Sequence, residues 1–506
     1  MSNNSLAIKL QVNKERRLFE RDPMIYGHFL EHFHRQIYGG IYDPASKFAD
    51  EDGFRTDVIE ALKEIQTPII RWPGGCFVSS YHWKKGVGKK RVPFFDKAWR
   101  VEDPNTFGTD EFIKLCRKIG CEPYICTNAG TGTEEEMSDW VEYCNLEYEG
   151  EFAKMRIENG NTEPFGVKYW SVGNENYGGW ELGAKDSATW GRLVLESTKL
   201  INHVDPDVSL TAAALGDIDW DLNLLRSAHE RLEWISLHQY WDAIHSTNNA
   251  AGYEKCMYYT RHTGDAIRRT RGLLTALGLD KRIRIAFDEW NLRGWYHPNV
   301  HTAIPAKEKE KYLYPRDDND INSIYTMADA VFSACFLNEC LRNADIVGMA
   351  NFAPVVNTRG AIFTYDGGIV KRSTYYVFEM YVKYMGDTVI DSYATGCEKY
   401  RIDSEGARGE VDCIDTVATL NSANGSVAIS LINKHADEEK EIKVFVGEHR
   451  NARVVTLSGR DKDDYNDVGR EYVVPFDNSS AITADADGEL RLTVPAHSVN
   501  VLMLEF

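Results

Sequence analysis

Apolar residues along the first three quarters of the chain fall in short runs, separated by polar stretches with a helical period. The runs at 24–29, 69–72, 122–127, 168–173, 208–213, 234–238, 282–288 and 345–351 are largely apolar, as strands buried on both faces must be. Between them apolar residues return every three or four positions, predicting helices over 57–65, 109–119, 188–204 and 328–343. Eight strands alternating with helices predict a (β/α)8 TIM barrel of class α/β over residues 21–383, whose reactive side chains stand where strands end at the C-terminal face. Beyond it the pattern changes. Segments 417–420, 426–432, 442–446, 452–457 and 490–494 alternate or are β-branched and are divided by Gly, Asn and Asp turns, which predicts an antiparallel β-sandwich over 384–506. Segments 7–12 and 17–19, within an N-terminal stretch 1–20, are also strand-like and are expected to pair with that sandwich.

Length agrees with this division, because 506 residues exceed what one hydrophobic core usually holds. A hydrophobic share of 43% and a charged share of 27% are those of a folded globular protein. The net charge of −19 argues against nucleic acid or an anionic membrane as partner, since both reward basic surfaces. The opening residues lack a basic segment followed by an apolar core, and no run is long enough to span a bilayer. Ten cysteines are scattered through the chain, several within apolar runs such as Ile125-Cys126-Thr127, which suits reduced thiols. The expected location is cytoplasmic.

Two of the predicted strands end beside a glutamate. Glu175 follows Gly173-Asn174 after the fourth, and Glu289 follows the seventh and precedes Trp290. An isolated glutamate is most often a solvated loop residue. Two delivered from separate strand ends to one barrel mouth are the minimum equipment for breaking a glycosidic bond, one protonating the leaving oxygen while the other attacks the sugar. A raised pKa, from burial and the neighbouring carboxylate, is expected for the acid, Glu175.

Other motifs carry less. His28-Phe29-Leu30-Glu31-His32 has the spacing of an H-x-x-E-H zinc site, but that needs a continuous helix and the residues before it look like strand. Gly130-Thr131-Gly132 is too short for a dinucleotide loop. The basic cluster from Lys84-Lys85 to Lys89-Lys90-Arg91 has the character of solvated loop, with a subunit contact as the alternative. The charged stretch 306–311 and the aromatics Trp295, Tyr296, Tyr312 and Tyr314 occupy a long excursion after the seventh strand, where barrel enzymes carry cleft-shaping loops.

Taken together, Tyr26-Gly27-His28-Phe29-Leu30-Glu31-His32, Arg71-Trp72-Pro73-Gly74-Gly75, Gly173-Asn174-Glu175, His238-Gln239-Tyr240 and Asp288-Glu289-Trp290-Asn291 resemble, in order, the motifs of glycoside hydrolase family 51, chiefly α-L-arabinofuranosidases. The resemblance implies a retaining, exo-acting release of terminal arabinofuranose from arabino-oligosaccharides, with Glu175 as acid/base and Glu289 as nucleophile. It implies that Glu31 and Asn174 hold sugar hydroxyls, that Arg71 and Tyr240 hydrogen-bond the nucleophile, that Trp99 lines the cleft and that His238 joins the same network. It also implies a homo-oligomer, commonly a hexamer, and neither cofactor nor metal, since side chains alone supply the chemistry.

Two positions depart from the commonest family pattern. Cys76 stands where many members carry a sugar-binding asparagine, and Pro354 where a glutamine is common. Both touch the sugar pocket. They leave open a related retaining glycosidase of different glycone, a β-xyloside, β-glucan or galactofuranoside, while a non-catalytic sugar-binding protein is the alternative from another class.

Overall fold

The computed structural model describes residues 8–244, 249–295, 320–484 and 489–506. Eight parallel strands close a barrel in sequential order: β1 (Gly27–Phe29), β2 (Ile69–Trp72), β3 (Glu122–Thr127), β4 (Tyr169–Val172), β5 (Ser209–Ala213), β6 (Trp234–Ile244), β7 (Arg284–Trp295) and β8 (Val347–Phe352). The predicted helices are present as Thr56–Glu64, Thr109–Ile119, Ser187–Val204 and Met327–Arg342. Short polar side chains start several helices. Asp186 caps Ser187–Val204 through the Thr189 N–H, and Thr326 with Asp329 forms a capping box on Met327–Arg342.

The strand bounds differ from the apolar runs at three informative places. Residues 24–29 divide, because Pro23 opens a single 3-10 turn, Pro23–Tyr26, whose Met24 N–H is capped by the Asp22 carboxylate, and only Gly27–Phe29 extends. At the other side β6 and β7 outrun their apolar cores and continue as a paired ribbon, Asn291 opposite Tyr240 and Trp295 opposite Ile244. Glu289 therefore lies inside β7, not after its end as the sequence suggests. A register shift between Ala286 and Glu289 interrupts the ladder to β6.

Within the barrel an apolar plug of Ile69, Tyr124, Trp234, Ala286 and Met349, with Met24, is drawn mainly from the early positions of the strands. A polar layer lies above it, in which the Tyr124 hydroxyl donates to Asp288 Oδ2 at 2.7 Å and the Ser236 hydroxyl to Oδ1 at 2.6 Å. The plug supports the reactive layer from below, on the side of the strands' N-terminal ends.

The C-terminal part forms a ten-stranded sheet, and the N-terminal strand joins it. The two segments read separately at the start of the chain are one strand, Ile8–Glu20, which inserts antiparallel to Thr388–Thr395 and parallel to Lys440–Phe445. Helix Met327–Arg342 packs between barrel and sheet, against Ile414–Leu420, Val427–Asn433 and Ser498–Glu505, and is buried on nearly every side. Its first turn is locked to the barrel, where the buried Arg293 of β7 grips both oxygens of Asp329 at 2.9 and 3.0 Å and Asp242 of β6 at 2.7 Å. Asp329→Ala leaves a buried guanidinium half paired and removes a helix cap. The stability loss is expected to be about 3–5 kcal/mol, read as a lower urea midpoint.

Candidate active site

The turn after β4 has little freedom. Gly173 has φ +70° and a Cβ there would meet Asn176 Oδ1 at 2.2 Å, so only glycine lets the chain fold this tightly. Two residues on, Glu175 itself is left-handed at φ +43°, a strained conformation for a side chain of its kind and one common at functional sites. On the opposite wall the irregularity in β7 breaks strict alternation, and the consecutive residues Asp288 and Glu289 both reach the interior of the barrel.

Glu175 and Glu289 converge on His238 of β6. An oxygen of each carboxylate and a nitrogen of His238 all lie within 4.8 Å of one another. His238 Nδ1 is 2.9 Å from Glu175 Oε1 and 3.5 Å from Glu289 Oε2, while Nε2 is 3.3 Å from Asp288 Oδ1. Glu289 accepts from Arg71 Nη1 at 3.0 Å and from the Tyr240 hydroxyl at 2.5 Å. Arg71 is fully buried, its Nη2 donating to Asn174 Oδ1 at 2.7 Å, so one guanidinium fixes the residue beside Glu175 as well as Glu289. Glu175 Oε2 accepts from the indole N–H of Trp180 at 3.0 Å.

The charges follow from these contacts. Burial pushes Asp288 up, but Arg71, His238 and Ser236 hold it at about 2. Glu175 departs from the expectation of a raised pKa. Burial lifts it, yet the hydrogen bond and charge of His238, with Trp180 and Arg71, outweigh that and bring it below the ordinary glutamate value. His238 moves the other way, because the carboxylates of Glu289, Asp288 and Glu175 overcome its burial and raise it to about 10. These shifts favour the carboxylate forms of Asp288 and Glu175 and the imidazolium form of His238 beside Arg71.

Of the remaining predicted positions, Glu31, with Trp99 against it, and Cys76 lie close to the two glutamates. Glu31 is buried, and its Oε1 accepts from the Trp99 indole at 2.8 Å and from the Phe77 N–H at 3.0 Å. Burial drives its carboxyl well above the usual range, and the charge of Glu289 adds to this. Gly75, at φ +52°, lets the backbone pass this carboxyl, where a Cβ would lie 2.3 Å away. Cys76 is half-buried, its thiol within 4.8 Å of oxygens of Glu175 and Glu181. The loop after β8 carries Pro354, buried, and three successive left-handed residues, Asn357, Thr358 and Arg359. Two N–H groups of this turn, from Thr358 and Arg359, bind the Asp320 carboxylate, and the Arg359 guanidinium lies 4.9 Å from the Tyr240 ring centre.

The zinc-like spacing does not form a metal site. His28 is on a strand, buried edge-on against Phe378, and His32 is in the following loop, its Nδ1 2.8 Å from Asp103. Of the basic cluster, Lys84 pairs with Asp139 and Arg91 bidentately with Glu111, both within the fold. Tyr296, Tyr312, Tyr314 and the charged stretch 306–311 lie outside the described residues.

Sequence reasoning missed three members of the site. Asp288 was read only as the last residue of the seventh strand, although two adjacent acids at the end of an apolar run were a visible signal. Glu181 is buried, takes the Asn174 amide at 3.4 Å and is lifted to about 7 by burial, and nothing in its loop sequence marks it. Trp180 is 53% exposed directly beside Glu175, an apolar platform at the rim suited to stacking on a sugar.

Among known proteins, a family described as the α-L-arabinofuranosidase 1 domain matches residues 61–258, and the α-L-arabinofuranosidase C-terminal domain matches 288–498. A probable α-L-arabinofuranosidase C from Aspergillus niger is 34% identical, the alignment covering 98% of this chain and 97% of that one. The intracellular exo-α-(1→5)-L-arabinofuranosidase 1 of Bacillus subtilis is 32% identical over 94% and 95%. The crystal structure of the Thermotoga maritima α-L-arabinofuranosidase in complex with arabinose superposes with a TM-score of 0.86 at 31% identity, covering 99% of this chain and all of that one.

Proposed function

The chain belongs to the α-L-arabinofuranosidases of glycoside hydrolase family 51, and from this we propose that it is a retaining, exo-acting enzyme releasing terminal arabinofuranose from short arabino-oligosaccharides. The observation that carries the reading is the closeness of the two carboxylates. Oxygens of Glu175 and Glu289 stand within 4.8 Å of each other, and a retaining site needs carboxyls about 5–5.5 Å apart, too close for the water an inverting enzyme places between them.

In this reading Glu289, held by Arg71 and Tyr240 with its oxygens at fixed angles, attacks the anomeric carbon. Glu175 protonates the departing oxygen and afterwards takes a proton from the water that releases the sugar. Asn174, Glu31 and Cys76 line the glycone pocket, and Trp180 supports the sugar beyond the cleaved bond. The exo preference and an intracellular setting draw support from the name of the Bacillus subtilis relative. Among the described residues no helix is long and apolar enough to cross a membrane.

Hydrolysis of 4-nitrophenyl α-L-arabinofuranoside in the presence of methanol, followed by proton NMR, tests the proposal. The first product formed is expected to be the α-methyl arabinofuranoside. A β product would show inversion and overturn the double displacement, and faster turnover of the β-xyloside or galactofuranoside would overturn the glycone.

A further inference from the structure

The position of His238 raises the question of where the acid's proton resides before substrate arrives. Glu175 accepts from the Trp180 indole at 3.0 Å and from the Tyr177 hydroxyl at 3.4 Å, and its Oε1 lies 2.9 Å from His238 Nδ1, a contact that one proton can bridge from either side. Around His238 stand Glu175 from the turn after β4 and Asp288 and Glu289 from β7. Arg71 from β2 lies against the last two at 3.3 and 3.0 Å, and the hydroxyls of Tyr124, Tyr177 and Tyr240 face Asp288, Glu175 and Glu289 respectively. Three carboxylates share Arg71 as one cation, and His238 is in contact with all three.

We propose that the proton Glu175 delivers to the leaving oxygen is kept on His238 between turnovers and passes along the Nδ1–H···Oε1 hydrogen bond, so that the charge of His238 follows the charge of Glu289. The proposal rests on the double-displacement reading above. In the first half-reaction a lone pair of Glu289 forms the bond to the anomeric carbon. The bond to the aglycone breaks with its electrons going to the departing oxygen, and the single proton of His238 Nδ1 passes to Glu175 Oε1 and on to that oxygen. Glu289 has then lost its negative charge to an ester, His238 has lost its positive charge, and Glu175 is again a carboxylate.

The summed charge of the cluster does not change, so no uncompensated charge is created in a buried site. Glu175 emerges in the state a general base requires. In the second half-reaction water gives its proton to Glu175, its oxygen bonds the anomeric carbon, and the electron pair returns to Glu289. The restored carboxylate draws the proton back onto Nδ1. His238 acts through Glu175 and is a positioning residue, one that positions a proton.

Nitrogen NMR on protein labelled in its histidine rings tests this directly, with the resonances assigned by their loss in His238→Gln. At pH 8 the free enzyme is expected to show both His238 nitrogens protonated, in keeping with the rise to about 10. After trapping with a 2-fluoro arabinofuranosyl substrate the ring is expected to be neutral. A neutral ring in the free enzyme, or an imidazolium that persists in the trapped form, overturns the proposal.

Kinetics supply an independent arm. His238→Gln and His238→Asn are expected to lose roughly 10²- to 10³-fold in kcat/KM on arabinobiose, whose leaving group needs a proton, and under about tenfold on the 2,4-dinitrophenyl arabinofuranoside, whose leaving group does not. Equal losses on both substrates would show a structural role only and overturn the proposal. Inversion by the wild-type enzyme would instead strike the double-displacement reading, so the two failures are told apart.

Discussion

Glu289→Ala loses on the order of 10⁵-fold in kcat/KM on every arabinofuranoside, about 7 kcal/mol of transition-state stabilisation, and the loss does not depend on the leaving group. The size follows from what surrounds the side chain. Arg71 Nη1 and the Tyr240 hydroxyl both donate to this one carboxylate, and Asp288 beside it is committed to Arg71, His238, Tyr124 and Ser236, so it does not move into the vacated place. Alanine leaves a small cavity facing the anomeric carbon. Azide entering that cavity attacks from the face Glu289 occupied, and with an activated substrate the glycosyl azide formed is expected to have inverted configuration. Full activity of Glu289→Ala, or an azide product of retained configuration, would assign the attack to another group.

The barrel was legible because its strands are buried on both faces and leave long apolar signatures, as at Ile69–Trp72 and Val347–Phe352, where every residue is buried. Two of the helices not foreseen have a weak signature, whereas Ile218–Ala228 and Asp265–Ala276 are amphipathic and were within reach of the pattern. Gly150–Glu158 begins at a glycine and separates its apolar and polar faces poorly, and Glu134–Asn145 opens with three consecutive glutamates. In the site, Glu175 and Glu289 were within reach of sequence, since two glutamates beside the ends of separate apolar runs point to one barrel mouth. What sequence could not give was irregular backbone. The break in the β6–β7 ladder brings Asp288 into the interior beside Glu289, and three left-handed residues in the β8 loop hold Arg359 against Tyr240. The paired acids hinted at the first, and no residue pattern marks the second. The direction of the Glu175 shift was misread for a related reason: burial and a nearby carboxylate were foreseen, but a histidine in contact with three carboxylates at once depends on the closure of β6 against β7.

Glu175→Ala should separate substrates where Glu289→Ala does not. The acid matters in proportion to the basicity of the departing oxygen, so kcat/KM on arabinobiose falls by roughly 10³- to 10⁴-fold while the 2,4-dinitrophenyl arabinofuranoside is cleaved into the glycosyl-enzyme at close to the wild-type rate. Release of the sugar then lacks its base. The ester accumulates, and the dinitrophenyl substrate gives a burst of phenolate followed by a slow steady state. Azide needs no base and reaches the anomeric carbon from the side Glu175 vacates, so it restores turnover and the product is an arabinofuranosyl azide of retained configuration. The pH profile changes in the same experiment. In the wild-type enzyme the alkaline limb on arabinobiose reports the loss of the single proton shared by Glu175 and His238, and it belongs to the pair and not to either residue. With Glu175 gone, that limb has no proton transfer to report and should flatten on the dinitrophenyl substrate. The opposite stereochemistry of the azide products from the Glu175 and Glu289 variants then assigns the two roles from a single pair of measurements. If both variants gave the same anomer, two carboxylates acting from opposite faces of one sugar could not be the working arrangement of this site.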